Sequence, residues 1–194
     1  MKKKIAATAV LLSLLSISAA GTLAYFTDSQ IAHNVITSGK IDIDLNDDFD
    51  WNEPIMPSQE IDKVVSVTNN NDSNTAWVRI LLNSTITQND TQETKDLFLP
   101  DGNPVMKINI SQSGKWVKGT AVELDGVSYD SYIYKDELAP GATTEELFKT
   151  VTFNEKTGND YQNCTVNIDV VAQAIQSDNS GASALEAAGW PATE

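Results

Sequence analysis

The sequence predicts an all-β protein, built as an antiparallel β-sandwich of the jelly-roll type with few short helices. Three observations support this fold class. Apolar and polar residues alternate with period 2 in most segments, turn-forming residues separate those segments, and helical periodicity is scarce. The chain has 194 residues, which is enough for one domain with its own hydrophobic core.

The first predicted strands show the alternation clearly. Ile41, Ile43 and Leu45 share one face of a strand, and Asp42 and Asp44 share the other. A second strand is expected at residues 61–67, and the continuous apolar run at 76–82 suits a strand that is buried on both faces. Further strands are predicted at residues 105–110, 115–118, 127–134, 147–153 and 164–175.

Turn signals and two weak helical segments lie between these strands. Ser113-Gly114 and Asp125-Gly126 predict hairpin turns. Residues 69–72 and 157–160 are polar and predict longer loops. Short helices are expected at residues 91–98 and 182–188. No repeat or linker divides the chain, so residues 38–194 are predicted to form one β-sandwich domain.

The N-terminal segment has the composition of a secretion signal. A basic stretch, Lys2-Lys3-Lys4, precedes the apolar residues 5–20, and Thr22-Leu23-Ala24 places small residues where a signal peptidase acts. We therefore predict a signal peptide at residues 1–24, cleaved after Ala24. Because the apolar stretch is shorter than the roughly 20 residues of a membrane span, we expect no membrane attachment after processing.

Charge and cysteine content exclude some functions. The formal net charge is −14, and removal of the leader lysines makes it more negative. Such a surface repels phosphate backbones, so we exclude nucleic acid as a partner. Cys164 is the only cysteine, which rules out an intramolecular disulfide. A buried unreactive thiol and an intermolecular disulfide both remain open for this residue.

Residues 25–37 form a candidate donor strand. Cleavage would free this segment, and its apolar residues occupy both phases of an extended strand. The alternative is that it forms the first strand of its own domain, and the two states are compatible if the strand exchanges between copies. The residues predicted to contribute to polymerisation are Tyr25, Phe26, Ile31, Ala32, Val35 and Ile36.

The sequence contains no recognisable catalytic motif. His33 is the only histidine, whereas the HExxH zinc site requires two imidazoles one helical turn apart. A Ser-His-Asp triad or a Cys-His dyad would also have to recruit His33. We therefore expect no catalytic residues, no enzymatic activity and no cofactor.

A weak calcium site is the one metal-binding alternative. Between Asp42 and Glu53 the side-chain oxygens follow the spacing of an EF-hand loop, but Asp47 occupies the position where that loop needs glycine. If calcium binds here, the candidate ligands are Asp47, Asp48 and Asp50. The simpler alternative is a strand with a hydrated acidic face that runs into an acidic loop.

The tryptophans allow two interpretations. Aromatic residues spread over a sandwich generally fill its core, while an exposed group could stack against carbohydrate. The residues concerned are Trp51, Trp77, Trp116 and Trp190.

The region around Ala24-Tyr25-Phe26, with Ser38-Gly39 leading into the strand at residues 41–45, resembles the start of the TasA/camelysin family. Further along, Pro57 ahead of the strand at residues 61–67, and residues 170–176 as a closing strand, are similar in kind. The resemblance implies the same sandwich fold, export by a Gram-positive bacterium and processing by a dedicated signal peptidase. It also implies assembly into biofilm matrix fibres by donor-strand complementation, through the segment that matches residues 25–37.

These observations lead to one main hypothesis and two alternatives. The main hypothesis is a secreted, non-enzymatic subunit of extracellular matrix or pilus-like fibres. Its expected partners are other copies of itself, a signal peptidase during export, and a minor cap or anchor subunit. The alternatives are a camelysin-type protease at the cell surface, and a monomeric surface adhesin or calcium-binding module.

Overall fold

The computed structural model describes residues 30–32, 41–48 and 56–191. Within these ranges the chain forms strands and one 3₁₀ turn, Asn159–Tyr161, and contains no α-helix. The predicted signal peptide, with its cleavage residue Ala24, lies outside the described residues. The strands are β1 Gln30–Ala32, β2 Ile43–Asp48, β3 Glu60–Asn69, β4 Ala76–Gln88, β5 Thr94–Lys95, β6 Met106–Ile110, β7 Trp116–Lys118, β8 Val122–Leu124, β9 Val127–Tyr134, β10 Phe148–Phe153 and β11 Cys164–Gln176.

The described strands form two sheets. Sheet A has the order β1-β11-β4-β9-β7, with β5 paired to β4 and β8 paired to β9. Sheet B has the order β2-β3-β10-β6. The strand pairs in the described ranges are antiparallel except for β1 and β11, which run parallel.

One hydrophobic core lies between the sheets. Val65 and Phe148 enter it from sheet B, Ile80 and Val170 enter it from sheet A, and all four side chains are fully buried. The all-β fold is confirmed, and two antiparallel sheets around one core fit the predicted sandwich. Its jelly-roll connectivity stays a prediction.

Strands β4 and β11 form the centre of sheet A. They pair in register over thirteen residues each, from Ala76 opposite Gln176 to Gln88 opposite Cys164. The first seven residues of β4 are all buried, which confirms burial on both faces. On the outer face of the sheet, Trp77 packs against Ala184 of the C-terminal segment, and Leu81 packs with Tyr129 of the neighbouring strand β9.

The two predicted α-helices are wrong. In residues 91–98, Lys95 pairs with Ile86 of β4, and Gln92 has a positive φ of 56° that an α-helix does not allow. In residues 182–188, the N–H of Ala188 bonds to the carbonyl of Ser180 at 2.7 Å and closes a loop. In the first segment, pairing with an existing strand outweighs a weak helical propensity.

Only one of the two predicted hairpin turns is confirmed. Asp125 and Gly126 have φ values of 51° and 78° and join β8 to β9 directly, as a two-residue hairpin turn requires. Ser113 and Gly114, in contrast, connect β6 of sheet B to β7 of sheet A. The prediction failed there because a local turn signal does not say which sheet receives the next strand.

Candidate functional site

Three residues of the candidate donor segment pair with the outer edge of β11. Gln30, Ile31 and Ala32 pair in parallel with Val170, Val171 and Ala172. Of the residues predicted to contribute to polymerisation, Ile31 and Ala32 therefore lie in this strand. The others, Tyr25, Phe26, Val35 and Ile36, lie outside the described residues.

The part of β11 that meets β1 is buried on both faces. Val170 and Ala172 have no exposed surface and belong to the core between the sheets. Val171 is 1% exposed and packs on the other face with Leu81 and Tyr129. The strand β1 therefore pairs with a segment of β11 that is buried on both faces.

A lysine and an aspartate of sheet B point into the core of the sandwich. Lys63 lies between Ile61 and Val65 in the core-facing phase of β3, and Asp47 follows Leu45 in the core-facing phase of β2. The Nζ atom of Lys63 contacts Oδ1 of Asp47, and the two side chains are 3% and 0% exposed. This is a buried ion pair between neighbouring strands.

Neither buried position was predicted, since Lys63 was not among the candidate residues and Asp47 was expected in a hydrated acidic loop. The signal was available, because Lys63 has the same period-2 phase as Ile61 and Val65. The pattern predicts a hydrated strand face at Asp42 and Asp44, followed by an acidic loop. Asp44 is exposed, but β2 continues to Asp48 and Asp47 is buried within it.

The calcium candidates do not form a cluster in the described part of the chain. Asp47 contacts the ammonium of Lys63, Asp48 is exposed, and Asp50 lies outside the described residues. Among residues 30–32, 41–48 and 56–191, no group of three or more His, Cys, Asp or Glu side chains could hold a metal ion. The calcium site stays a prediction.

Cys164 lies at the start of β11 and is partly buried. Its thiol donates to Oε1 of Gln88 at 3.0 Å, and burial raises the pKa of the thiol. A higher pKa lowers the thiolate fraction and therefore the nucleophilicity. The candidate base His33 lies outside the described residues. These features fit an unreactive thiol rather than a nucleophile.

Two tryptophans are buried, Trp116 in the core between the sheets and Trp77 on the outer face of sheet A. Trp77 and Trp116 are each 6% exposed, and the indole N–H of Trp116 donates to the carbonyl of Glu145 at 2.9 Å. Trp51 lies outside the described residues. Because both side chains are buried in packed apolar clusters, they fit a structural role rather than a platform for carbohydrate.

Arg79, the single arginine of the sequence, is buried under the C-terminal segment. Its Nε donates to Oε1 of Gln173 at 2.7 Å, and its Cζ lies 4.7 Å from the ring centroid of Trp190. Desolvation lowers the pKa of Arg79 to about 10. This arginine therefore joins β4, β11 and the C-terminal segment.

An open groove of about 560 Å³ lies where β6 forms the edge of sheet B. Leu82 of β4, Met106 and Ile108 of β6, and Tyr132 of β9 line it, and Phe98 at its rim is 61% exposed. This groove has no signal in the sequence pattern, because its walls come from strands that are distant in sequence.

In the described part of the chain, no helix is long and apolar enough to cross a bilayer. Searches of curated proteins and of solved structures found no match. The sequence profile of the family described as camelysin metallo-endopeptidase matches residues 1–181. That match covers nearly the whole chain and confirms the resemblance found in its N-terminal region. The chain therefore belongs to the TasA/camelysin family.

Proposed function

We propose that the protein is a secreted structural subunit that polymerises head-to-tail by donor-strand exchange into extracellular biofilm matrix or pilus-like fibres. One observation carries this proposal: Gln30–Ala32, within the segment that cleavage would free, adds a short parallel strand to the buried strand β11. The residues that a subunit would donate to its neighbour are thus the same residues that form the edge strand of sheet A within one chain.

In one state β1 pairs with β11 of its own chain, and in the other it pairs with β11 of a second copy; the extent of the pairing bears on the balance between the two. The β1 strand contributes three residues, whereas β4 pairs with all thirteen residues of β11, so β1 can leave without disturbing the centre of sheet A. Parallel pairing is also slightly less stable per residue than antiparallel pairing. An equivalent segment from a second copy would restore the same backbone pairing, and each subunit that donates onward extends an open chain.

A peptidase role has weaker support, although the family carries a metallo-endopeptidase description. The side chains do not fit a catalytic zinc ion, which takes three protein ligands, most often with histidine among them. The sequence has one histidine, His33, and the described residues contain no group of three potential ligands. We therefore assign no catalytic step and propose a non-enzymatic protein.

Export and location follow from the N-terminal sequence and the family. A basic, apolar leader ending at Ala24 supports cleavage by a signal peptidase. We place the mature protein in the extracellular matrix or on the surface of a Gram-positive bacterium. The partners are other copies of the chain, with a minor cap or anchor subunit at a fibre end.

The test compares protein that begins at Tyr25 with protein that lacks residues 25–36. We expect the first to form polymers in sedimentation and electron microscopy, and the second to stay monomeric with a similar β-sheet circular dichroism spectrum. Equal polymerisation of both proteins would overturn the proposal. Cleavage of casein that is abolished by a chelator, in protein from a protease-deficient host, would favour the peptidase alternative.

A further inference from the structure

We infer that Lys63 and Asp47 form an intramolecular isopeptide bond, an amide between the lysine Nζ and the aspartate Cγ, which ties β2 covalently to β3. The bond itself does not depend on the proposed function, whereas its mechanical role in a fibre rests on it. Both side chains are buried among apolar residues of the core.

The antiparallel register of β2 and β3 brings the reacting atoms together. Asp47 is opposite Val65 in the antiparallel pair of β2 and β3, so Lys63 is its diagonal neighbour on the same face of the sheet. The Nζ of Lys63 contacts Oδ1 of Asp47. The carboxyl carbon is one covalent bond beyond that oxygen, within reach of the amine.

Burial makes the pair reactive. In water an ammonium and a carboxylate do not condense, because the charged amine has no lone pair and the charged carboxylate resists attack. Removing both ions from water is expensive, and transfer of one proton from the ammonium to the carboxylate removes both charges. The neutral amine and the neutral carboxylic acid are the forms that react.

The reaction balances without another reagent. The amine lone pair attacks Cγ of Asp47 and forms the C–N bond. The bond between Cγ and the carboxyl hydroxyl then breaks, and the hydroxyl leaves with a proton from the nitrogen. One ammonium and one carboxylate thus give one amide and one water molecule, with no net change of charge and no oxidant.

The location of this bond gives it a mechanical role. Among the described strands, β2 lies at the edge of sheet B and pairs with β3, and it is the first described strand after β1. Force applied to a donated N-terminal segment would reach the sandwich through β2. Hydrogen bonds between two strands can separate one after another, and a covalent bond to β3 would stop that separation.

The chain offers a matched control pair on its surface. Lys118 of β7 is opposite Tyr132 of β9, and its Nζ lies 2.8 Å from Oδ2 of Asp130, again a diagonal neighbour. These side chains are 58% and 51% exposed. Water solvates both groups, so we expect no amide between them although the spacing is similar.

The deciding experiment is the intact mass of the purified folded protein, with its first residue established by N-terminal sequencing. We expect a mass lower than that of the linear sequence by one water molecule. Protease digestion and tandem mass spectrometry should give a branched peptide that joins Lys63 to Asp47, while Lys118 and Asp130 appear in unbranched peptides. Full sequence mass, or a bond at another pair, would overturn the inference.

Variants separate the bond from the fibre. Lys63→Arg and Asp47→Ala should restore the full mass, and if either fails to fold, the wild-type mass still decides. Fibres of Lys63→Arg should form but dissolve at a lower denaturant concentration than wild-type fibres. A protein whose mass is lower by one water molecule but that never polymerises would support the bond and contradict the proposed function. Fibres made of protein with the full sequence mass would support the proposed function and contradict the bond.

Discussion

The guanidinium of Arg79 lies over the indole ring of Trp190, with Cζ 4.7 Å from the ring centroid, and this contact attaches the C-terminal segment to the outer face of sheet A. Trp77 and Ile175 are buried beneath the same segment, next to Ala184. The family profile ends at residue 181, so this cover comes from a part of the chain beyond the family match.

Replacing Arg79 by Met should loosen the C-terminal segment. The variant loses the cation–π contact and the hydrogen bond to Gln173, which together are worth about 2–3 kcal/mol. Limited proteolysis should then cleave after residue 177 faster than in the wild type. Lys135→Met, at an exposed position, is the control and should not change the rate. Equal cleavage of the Arg79 variant would show that the segment is held by other contacts.

Removing one member of the Lys63–Asp47 pair should destabilise the protein more than removing both. Both variants lack the amide, and Lys63→Met in addition leaves the Asp47 side chain buried without the lysine nitrogen, which costs about 3–5 kcal/mol. The double variant Lys63→Met/Asp47→Leu removes that carboxylate and should therefore be more stable than Lys63→Met, as measured by urea unfolding. Lys118→Met, in the exposed pair, should lose less than about 1 kcal/mol. A double variant no more stable than the single variant would contradict the expectation.

Tyr129 should make stability depend on alkaline pH. Burial, with the hydrogen bond from its hydroxyl to Oδ2 of Asp169 at 2.6 Å, raises the pKa of Tyr129 to about 12 from an ordinary value of 10.0. The neutral phenol therefore contributes its full stabilisation below pH 10, and the contribution is lost as the pH rises through about 12. Urea unfolding of the wild type against Tyr129→Phe should show this difference. If the free energies of unfolding of the two proteins changed equally with pH, this phenol would not be the group that controls the loss of stability at alkaline pH.

Disrupting β1 should prevent polymerisation without unfolding the domain. Ile31→Pro removes one backbone N–H and restricts φ, which is incompatible with a three-residue paired strand. We expect this variant to sediment as a monomer, while Ile31→Val keeps the strand and polymerises. Unchanged polymerisation of the proline variant would show that assembly uses another surface.

Cys164 should have no role in assembly. Its thiol is partly buried, with a pKa that burial raises, so both oxidation and alkylation should be slow in the folded protein. Cys164→Ser should polymerise like the wild type, and polymers should dissociate in denaturant without a reductant. A dimer band that appears only on non-reducing gels would instead indicate an intermolecular disulfide.

Much of the strand content could be predicted from local pattern. The predicted strand at residues 127–134 coincides with β9, and those at 147–153 and 164–175 differ from β10 and β11 by one residue at one end. Alternation works here because one face of each strand meets the core. It failed at residues 91–98, where pairing of Lys95 with β4 decides the conformation.

The sequence by itself determined the β class of this protein, its acidic surface, its single cysteine and histidine, and an N-terminal region typical of its family. These properties depend on composition and short-range periodicity. Tertiary structure alone decided that Lys63 meets Asp47 in the core, that the guanidinium of Arg79 stacks on the ring of Trp190, and that β1 lies along β11. Each of these contacts joins residues far apart in the chain, and their proximity depends on which strands become neighbours.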